Sequence, residues 1–295
     1  MSKVFTKEDL IRFSPEHDTF VGIDSDGCVF DTMEIKQKKC FHPKIIEHWH
    51  LESIEKYVRE SAEFVNLYSK TRGRNRFLNL VDSFDLLRDR PEVVESEVKL
   101  PEFKSLRKWI SSGVPLGNPS LEKEACESGD AELKDVLTWS LGVNELVTEV
   151  AKNILPFKWV VESLEKIHAT ADSIVVSQTP EEALVSEWEE GGIKKYIKFI
   201  AGQELGTKTE HLRMATDGKY EGSRVLMIGD APGDRIAAES ISAMFYPINP
   251  GHEEESWERF YKEAYDKFLK GDYAGAYARK LEDEFEALLP EAPHW

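Results

Sequence analysis

A short apolar run that stops at two acids is the feature that most limits how this chain can fold. The run from Phe20 to Ile23 leads directly into Asp24, and a second carboxylate, Asp26, follows two residues later. A buried strand that ends in acids places them at the carboxyl edge of a sheet, where open α/β folds bind their ligands. Because neighbouring carboxylates repel each other, such a pair usually needs a cation, a shared proton or both.

Four more strand-like runs occur later in the chain, at residues 173–176, 198–201, 225–228 and 243–248. Helical patterns lie between them, after Pro180, Lys208 and Pro232, and another precedes the second strand at residues 158–170. Strands that alternate with helices form parallel sheets with right-handed crossovers. The sequence therefore predicts an α/β fold built on a doubly wound parallel sheet.

A long stretch without convincing strands separates the first two strands, and it carries helical patterns at residues 45–68, 77–87 and 136–154. A crossover between parallel strands needs only about a dozen residues. We therefore predict a body formed by residues 1–31 and 156–295, with a helical domain of residues 32–155 inserted into it. The two ends of the insertion should lie close together at the ligand edge of the sheet, which would make it a lid. The aromatic helical stripes of residues 253–295 are expected to pack on the body.

The composition of the chain limits which classes of binding partner are favourable. The net charge of −17 disfavours nucleic acid and anionic membranes, and no apolar run approaches the roughly 20 residues that span a bilayer. The first residues contain no apolar signal core, and three cysteines without a CxxC motif argue against a disulfide framework or structural zinc. We expect a cytoplasmic protein.

Polar residues follow four of the predicted strands, and parallel strands end at a common edge. They are Asp24 and Asp26, Ser177, Lys208, and the group Gly229, Asp230 and Asp234. In this order they resemble the four motifs of the haloacid dehalogenase superfamily: DxD, a strand-terminal Ser or Thr, an isolated Lys, and GDxxxD. The resemblance covers roughly residues 18–31 and 156–250. The inserted helices are similar to the caps of phosphoglycolate-phosphatase-like and β-phosphoglucomutase-like members.

The resemblance implies a role for each of these side chains. Asp24 would attack phosphorus and form an aspartyl-phosphate, which divides a very slow hydrolysis into two steps. Asp26 would act as general acid and base, while Ser177 and Lys208 would bind the phosphoryl oxygens. Mg²⁺ would be held by the carboxylates of Asp24 and Asp230 and the main-chain carbonyl of Asp26, with Asp234 as a further ligand or as a partner of its waters.

Each of these residues also has an ordinary structural explanation. Acids after a strand often begin a helix, Ser177 could do the same, and Lys208 could be a surface lysine. Asp31 and Thr32 fit either the start of the cap linker or a helix N-cap. Only the joint occurrence of the motifs favours a catalytic site.

A basic segment, residues 70–76, carries Lys70, Arg72, Arg74 and Arg76 with no acid among them. If this segment faced the body, its arginines could bind a carboxylate or a second phosphate of the substrate. It could equally be a solvated run of charge.

The sequence thus predicts a Mg²⁺-dependent phosphatase acting on a small phosphorylated metabolite. A phosphomutase acting on a sugar phosphate and a catalytically silent binding protein on the same fold are the alternatives. Neither the substrate nor the oligomeric state follows from the sequence.

Overall fold

The computed structural model describes residues 5–295. By its internal contacts the chain divides into two compact units. The body comprises residues 1–33 and 153–290, and the helical unit comprises residues 34–152 and 291–295. The sequence-based boundaries lie within three residues of the first two divisions, but they assigned the last five residues to the body.

The body is built on a five-stranded sheet in which every pair of neighbouring strands is parallel. The strand order is β3-β2-β1-β4-β5. The strands are β1 (Phe20–Ile23), β2 (Asp172–Val176), β3 (Phe199–Ala201), β4 (Val225–Gly229) and β5 (Met244–Pro247). β1 lies at the centre, so the predicted nucleophile strand has a neighbour on each side. The predicted fold class, a parallel α/β sheet with a helical insertion, is confirmed.

Helices account for most of the remaining chain. In chain order they are α1 (Lys7–Arg12), α2 (Thr32–Lys36), α3 (His42–His48), α4 (Glu55–Leu67), α5 (Arg76–Arg88), α6 (Pro91–Glu95), α7 (Lys104–Ile110), α8 (Asn118–Ser128), α9 (Ala131–Val150), α10 (Val160–His168), α11 (Glu181–Glu190), α12 (Lys208–Thr216), α13 (Pro232–Glu239), α14 (Glu253–Arg259), α15 (Tyr265–Lys270) and α16 (Ala276–Ala287). Two π-helical turns, Gln37–Phe41 and Phe260–Ala264, continue α2 into α3 and α14 into α15. None of the described helices is both long and apolar enough to cross a membrane.

The sheet is covered on both faces. Successive side chains along a strand point to opposite faces, and along β1 Val21 and Ile23 join one buried cluster while Phe20 joins another. The first cluster takes its α-helical members from α10, α11, α14, α15 and α16, and the second from α1, α12, α13 and α16. Two apolar faces explain why the strands read as nearly continuous hydrophobic runs.

The two ends of the insertion meet within the body. Phe30 forms an antiparallel bridge with Pro156, and the amide of Phe157 donates a hydrogen bond to the carbonyl of Val29 at 2.9 Å. The sequence-based expectation that these ends lie close together is confirmed.

The helical unit has its own core, which includes Trp109, Trp139 and Phe84. Helices α5 and α9 were predicted, but the single helix over residues 45–68 was wrong. The chain leaves α3 after His48, passes through a 3₁₀ turn at Glu52–Ile54 and re-forms an α-helix only at Glu55. His50 adopts a φ of 54°, in the left-handed region that a right-handed helix cannot include. The apolar stripe was continuous in sequence because α3 and α4 bury their faces in the same core.

The aromatic stripe near the C-terminus packs as predicted. Trp257, Phe260 and Phe268 are buried in the body. Residues 291–295 belong to the helical unit. The ring of Trp295 lies over the guanidinium of Arg90 in the same unit, with 4.5 Å between the ring centroid and Cζ.

Candidate active site

Asp24 is the first residue after β1 and is almost completely buried. Its amide donates to the carbonyl of Ile228 at 2.9 Å, which extends the β1–β4 pairing by one residue. Its Oδ1 accepts a hydrogen bond from the Ser25 amide at 2.7 Å. Because Oδ1 is held by the backbone, the orientation of the carboxylate is fixed by the end of the strand itself.

Lys208 brings a positive charge to this carboxylate. It is the first residue of α12, whose start is stabilised by a capping box between Thr207 and Glu210. Its Nζ lies 2.7 Å from Oδ2 of Asp24 and 2.6 Å from Oδ1 of Asp234. A single ammonium thus joins two residues far apart in sequence, one directly after β1 and the other in the first turn of α13.

Asp234 reaches the cluster because residue 229 is a glycine. Asp230 follows the last residue of β4, and Asp234 lies in the first turn of α13, where its Oδ2 accepts from the Ala231 amide at 3.1 Å. A Cβ at position 229 would lie only 2.3 Å from Cγ of Asp234. The glycine of the GDxxxD sequence is therefore required for the final aspartate to occupy this position.

Three carboxylates meet at this point. Asp24, Asp230 and Asp234 each place an oxygen within 4.8 Å of the others, and all three residues are buried. Burial raises the pKa of Asp24 to about 7, with a further rise from Asp234 and an opposing effect from Lys208. Burial also raises the pKa of Asp234, again against the effect of Lys208. For Lys208 burial alone would lower the pKa, but the carboxylates of Asp234 and Asp24 outweigh it and hold the pKa above its usual value.

The donor set fits a hard divalent cation. Three buried carboxylates face one ammonium, so the fully ionised cluster carries a charge of −2. Carboxylate oxygens are the ligands that Mg²⁺ binds in proteins, usually one or two of them together with water and phosphate. A divalent cation would compensate the charge that burial makes unfavourable.

Asp26 lies outside the three-carboxylate cluster and has a different environment. Its Oδ1 accepts a very short hydrogen bond from the hydroxyl of Thr32, and its Oδ2 accepts one from the hydroxyl of Thr179 at 2.7 Å. Each carboxylate oxygen therefore has its own hydroxyl donor. Thr32 is the first residue of α2, where the sequence allowed either a linker residue or a helix cap.

Ser177 is buried at the end of β2, and its amide donates to the carbonyl of Ala201 in β3 at 3.0 Å. Its Oγ accepts from the amide of Thr179 at 3.2 Å, so the hydroxyl proton is not used in that contact. Helix α11 begins only at Glu181, after Pro180. The serine belongs to the strand-end turn and is not the cap of this helix.

The backbone between Asp24 and Phe30 is supported by two tryptophans that the sequence did not single out. The indole of Trp188 donates to Oγ of Ser25 at 3.0 Å, and that of Trp257 donates to the carbonyl of Cys28 at 2.7 Å. Gly27 adopts a φ of 77°, which turns the chain back on itself. Trp257 was recognised only as part of a packing stripe, and Thr179 was not singled out, because hydrogen bonds across the fold leave no local pattern.

The arginines of the basic segment have partners within the helical unit. Arg72 is buried and donates to the carbonyl of Leu67 at 2.8 Å, and Arg74 pairs with Asp82 at 3.0 Å. Arg76 donates to the Asn144 side chain at 2.7 Å and lies over the ring of Phe41. These contacts give each arginine a structural task, and a role in substrate binding stays a prediction.

The comparisons with known proteins yield similar solved structures. No protein-family model matches the chain, and no curated protein matches it. One similar structure is a haloacid dehalogenase-like family hydrolase from Streptococcus pneumoniae, at 14% identity and a TM-score of 0.42, covering 81% of this chain and 90% of that one.

Two further structures are similar. One is a HAD-superfamily hydrolase of subfamily IA from Geobacter sulfurreducens, at 14% identity and a TM-score of 0.42, covering 80% of this chain and 90% of that one. The other is described as the HAD-hydrolase YfnB from Bacillus subtilis bound to magnesium, at 12% identity and a TM-score of 0.45, covering 78% of this chain and 86% of that one.

Proposed function

We propose that this protein is a phosphatase of the haloacid dehalogenase superfamily that hydrolyses a small phosphorylated metabolite with the help of Mg²⁺. The observation that carries the proposal is the ammonium of Lys208, which contacts both Asp24 and Asp234 within a cluster of three buried carboxylates. These contacts bring together Asp24, Lys208 and Asp234, which come from distant parts of the sequence.

Asp24 is the proposed nucleophile. One of its oxygens is held by a backbone amide, so the carboxylate needs little reorganisation before it attacks phosphorus in line. Lys208 and the hydroxyl of Ser177 stabilise the charge that develops on the phosphoryl oxygens. When bound by the carboxylates of Asp24, Asp230 and Asp234, Mg²⁺ supplies the remaining charge compensation between the anionic nucleophile and the anionic ester.

Asp26 is the proposed general acid for the leaving alkoxide and general base for water. It lies two residues from Asp24 but outside the carboxylate cluster, and its two oxygens accept hydrogen bonds from the hydroxyls of Thr32 and Thr179. Proton transfer of this kind is worth about 10²–10⁴-fold in rate. A reaction that expels halide needs no proton on its leaving group, so the hydroxyl-bound Asp26 favours phosphate esters over haloacids as substrates.

The proposed partner is a small molecule. The net charge of −17 makes nucleic acid and anionic membranes unfavourable binding partners, whereas a single phosphate group needs only a local positive charge, which Lys208 supplies.

The test is a panel of phosphorylated metabolites incubated with wild-type protein and Mg²⁺, scored by released phosphate. We expect activity that is lost with a chelator and restored by Mg²⁺. Asp24→Asn should reduce kcat/KM by roughly 10³-fold or more, because it removes the nucleophile. Asp217→Asn, an exposed residue of the same body, serves as the matched control.

Equal activity of Asp24→Asn and wild type would contradict the proposal. Isomerisation of a sugar phosphate without release of phosphate would show a phosphomutase, and a wild type inactive on the whole panel would favour a silent binding protein.

A further inference from the structure

Thr179 contacts the proposed acid–base residue from the turn that also carries Ser177. Its Oγ1 donates to Oδ2 of Asp26 at 2.7 Å. Its amide donates to Oγ of Ser177 at 3.2 Å, and its carbonyl accepts from the amide of Gln203 at 3.1 Å. All three polar groups of Thr179 are therefore engaged, each with a different segment of the body.

These backbone bonds hold the threonine in place. Two of them tie its main chain to the end of β2 and to the turn after β3. The following residue, Pro180, restricts Thr179 to extended conformations, and the β-branched side chain has few χ1 rotamers. The direction of its hydroxyl is consequently determined by the turn and does not depend on Asp26.

A carboxylate needs such a fixed partner. The terminal torsion of an aspartate is broad and roughly two-fold, so the side chain alone does not define the plane of its two oxygens. A general acid must nevertheless present one oxygen within about 2.6–3.2 Å of the leaving group. The hydrogen bond from Thr179 to Oδ2 restricts rotation about the Cβ–Cγ bond of Asp26. The position of the turn that carries Ser177 therefore influences the plane of the carboxylate.

We propose that Thr179 is a positioning residue that orients the carboxylate of Asp26 for proton transfer to the leaving group. The inference rests on the proposed phosphatase function. It assigns the contribution to catalysis to the hydroxyl of Thr179 and not merely to the size of its side chain. This contribution matters most when the leaving group is a poor one. An alkoxide needs a proton as it departs, whereas a nitrophenolate leaves readily without one.

The test compares two probe substrates, β-glycerophosphate and p-nitrophenyl phosphate, in the presence of Mg²⁺. Thr179→Val keeps the shape of the side chain but removes the hydroxyl. We expect it to lower kcat on β-glycerophosphate about 10- to 100-fold, a part of the full effect of a general acid, with little change in KM. The loss on p-nitrophenyl phosphate should be several-fold smaller, and Thr179→Ser should restore most of the activity on both.

Controls separate this role from a purely structural one. Thr138→Val removes an exposed hydroxyl in α9 and should leave both activities unchanged. Thermal unfolding of each variant shows whether it is folded, and if Thr179→Val is not, Thr179→Ala replaces it in the comparison with Thr179→Ser.

Equal losses on the two substrates, or a serine variant no more active than valine, would overturn the inference while leaving the proposed function intact. A wild type that hydrolyses neither probe nor any metabolite of the panel would overturn both.

Discussion

The strand-end cluster of the body and the basic segment of the helical unit use charge in opposite ways. In the body, the carboxylates of Asp24, Asp230 and Asp234 are buried together, and the ammonium of Lys208 contacts two of them. In residues 70–76, each arginine has its own nearby partner, such as the carbonyl of Leu67 or the side chains of Asp82 and Asn144.

This difference distinguishes a candidate functional site from a segment whose charges have structural partners. Concentrated charge of one sign in a buried place is unfavourable in itself and is relieved by a ligand, which is why shifted pKa values gather at functional sites. Charges that are paired locally, by contrast, hold helices together and need nothing further. The arginines of residues 70–76 have structural partners, and their role in substrate binding stays a prediction.

The largest expected effect comes from removing the ammonium that contacts the cluster. Lys208→Met removes the positive charge that pairs with the buried carboxylates of Asp24 and Asp234. We expect kcat/KM to fall by roughly 10²–10³-fold and the metal-free protein to lose about 3–5 kcal/mol of stability. Phosphate release and chemical unfolding measure the two effects, and Lys7→Met at the exposed start of α1 is the control. A Lys208 variant as stable and active as wild type would remove this residue from the site.

A smaller effect is expected from a change of pH on the stability of the protein. The pKa of Asp24 is raised to about 7 in the folded protein, so the folded state binds this proton more tightly than the unfolded state does. Its contribution to stability is therefore present at low pH and is lost as the pH rises from the ordinary carboxyl pKa of 3.8 towards 7.

Without divalent cations, we expect the change in stability between pH 5 and pH 8 to be less favourable for wild type than for Asp24→Asn. The difference should be about 3–6 °C in Tm, and Mg²⁺ should reduce it by compensating the ionised carboxylate. Parallel pH dependence of the two proteins would mean that Asp24 ionises normally.

The smallest effects concern the basic segment, where two neighbouring arginines form a matched pair. Arg76 donates to Ser140 and Asn144 and lies over Phe41, and burial lowers its pKa to about 10. Arg76→Ala should destabilise the protein by about 1–2 kcal/mol. Arg74→Ala loses only an exposed ion pair and should cost about 0.5 kcal/mol or less. Chemical unfolding checks the order.

If both variants keep the stability of wild type but raise KM for the true substrate, the segment contacts substrate after all, and the contrast with the strand-end cluster disappears.

Sequence reasoning succeeded where the signal was local and periodic. The strands, and the helices that begin at Glu181, Lys208 and Pro232, were predicted within about two residues, because each has a hydrophobic pattern and a clear turn or cap. The meeting of Asp24, Lys208 and Asp234 followed from topology, since parallel strands end at one edge. Their catalytic roles stay predictions.

What sequence reasoning missed depends on contacts across the fold. No local sequence pattern predicts that Thr179 donates a hydrogen bond to Asp26, or that Trp188 donates one to Ser25. The left-handed conformation of His50 was equally invisible, because residues on both sides of it contribute to one core and keep the apolar stripe continuous.

The pairing of Phe30 with Pro156 has an evolutionary consequence. Since the chain returns to the point from which it left, the length and content of the excursion barely affect the sheet, and the entropy of closing such a loop grows only slowly with its length. The helical unit has a core of its own, so changes in its sequence or length leave the packing of the sheet largely unaffected. The insertion is therefore the part of the chain that can diverge most freely while the strand ends stay the same.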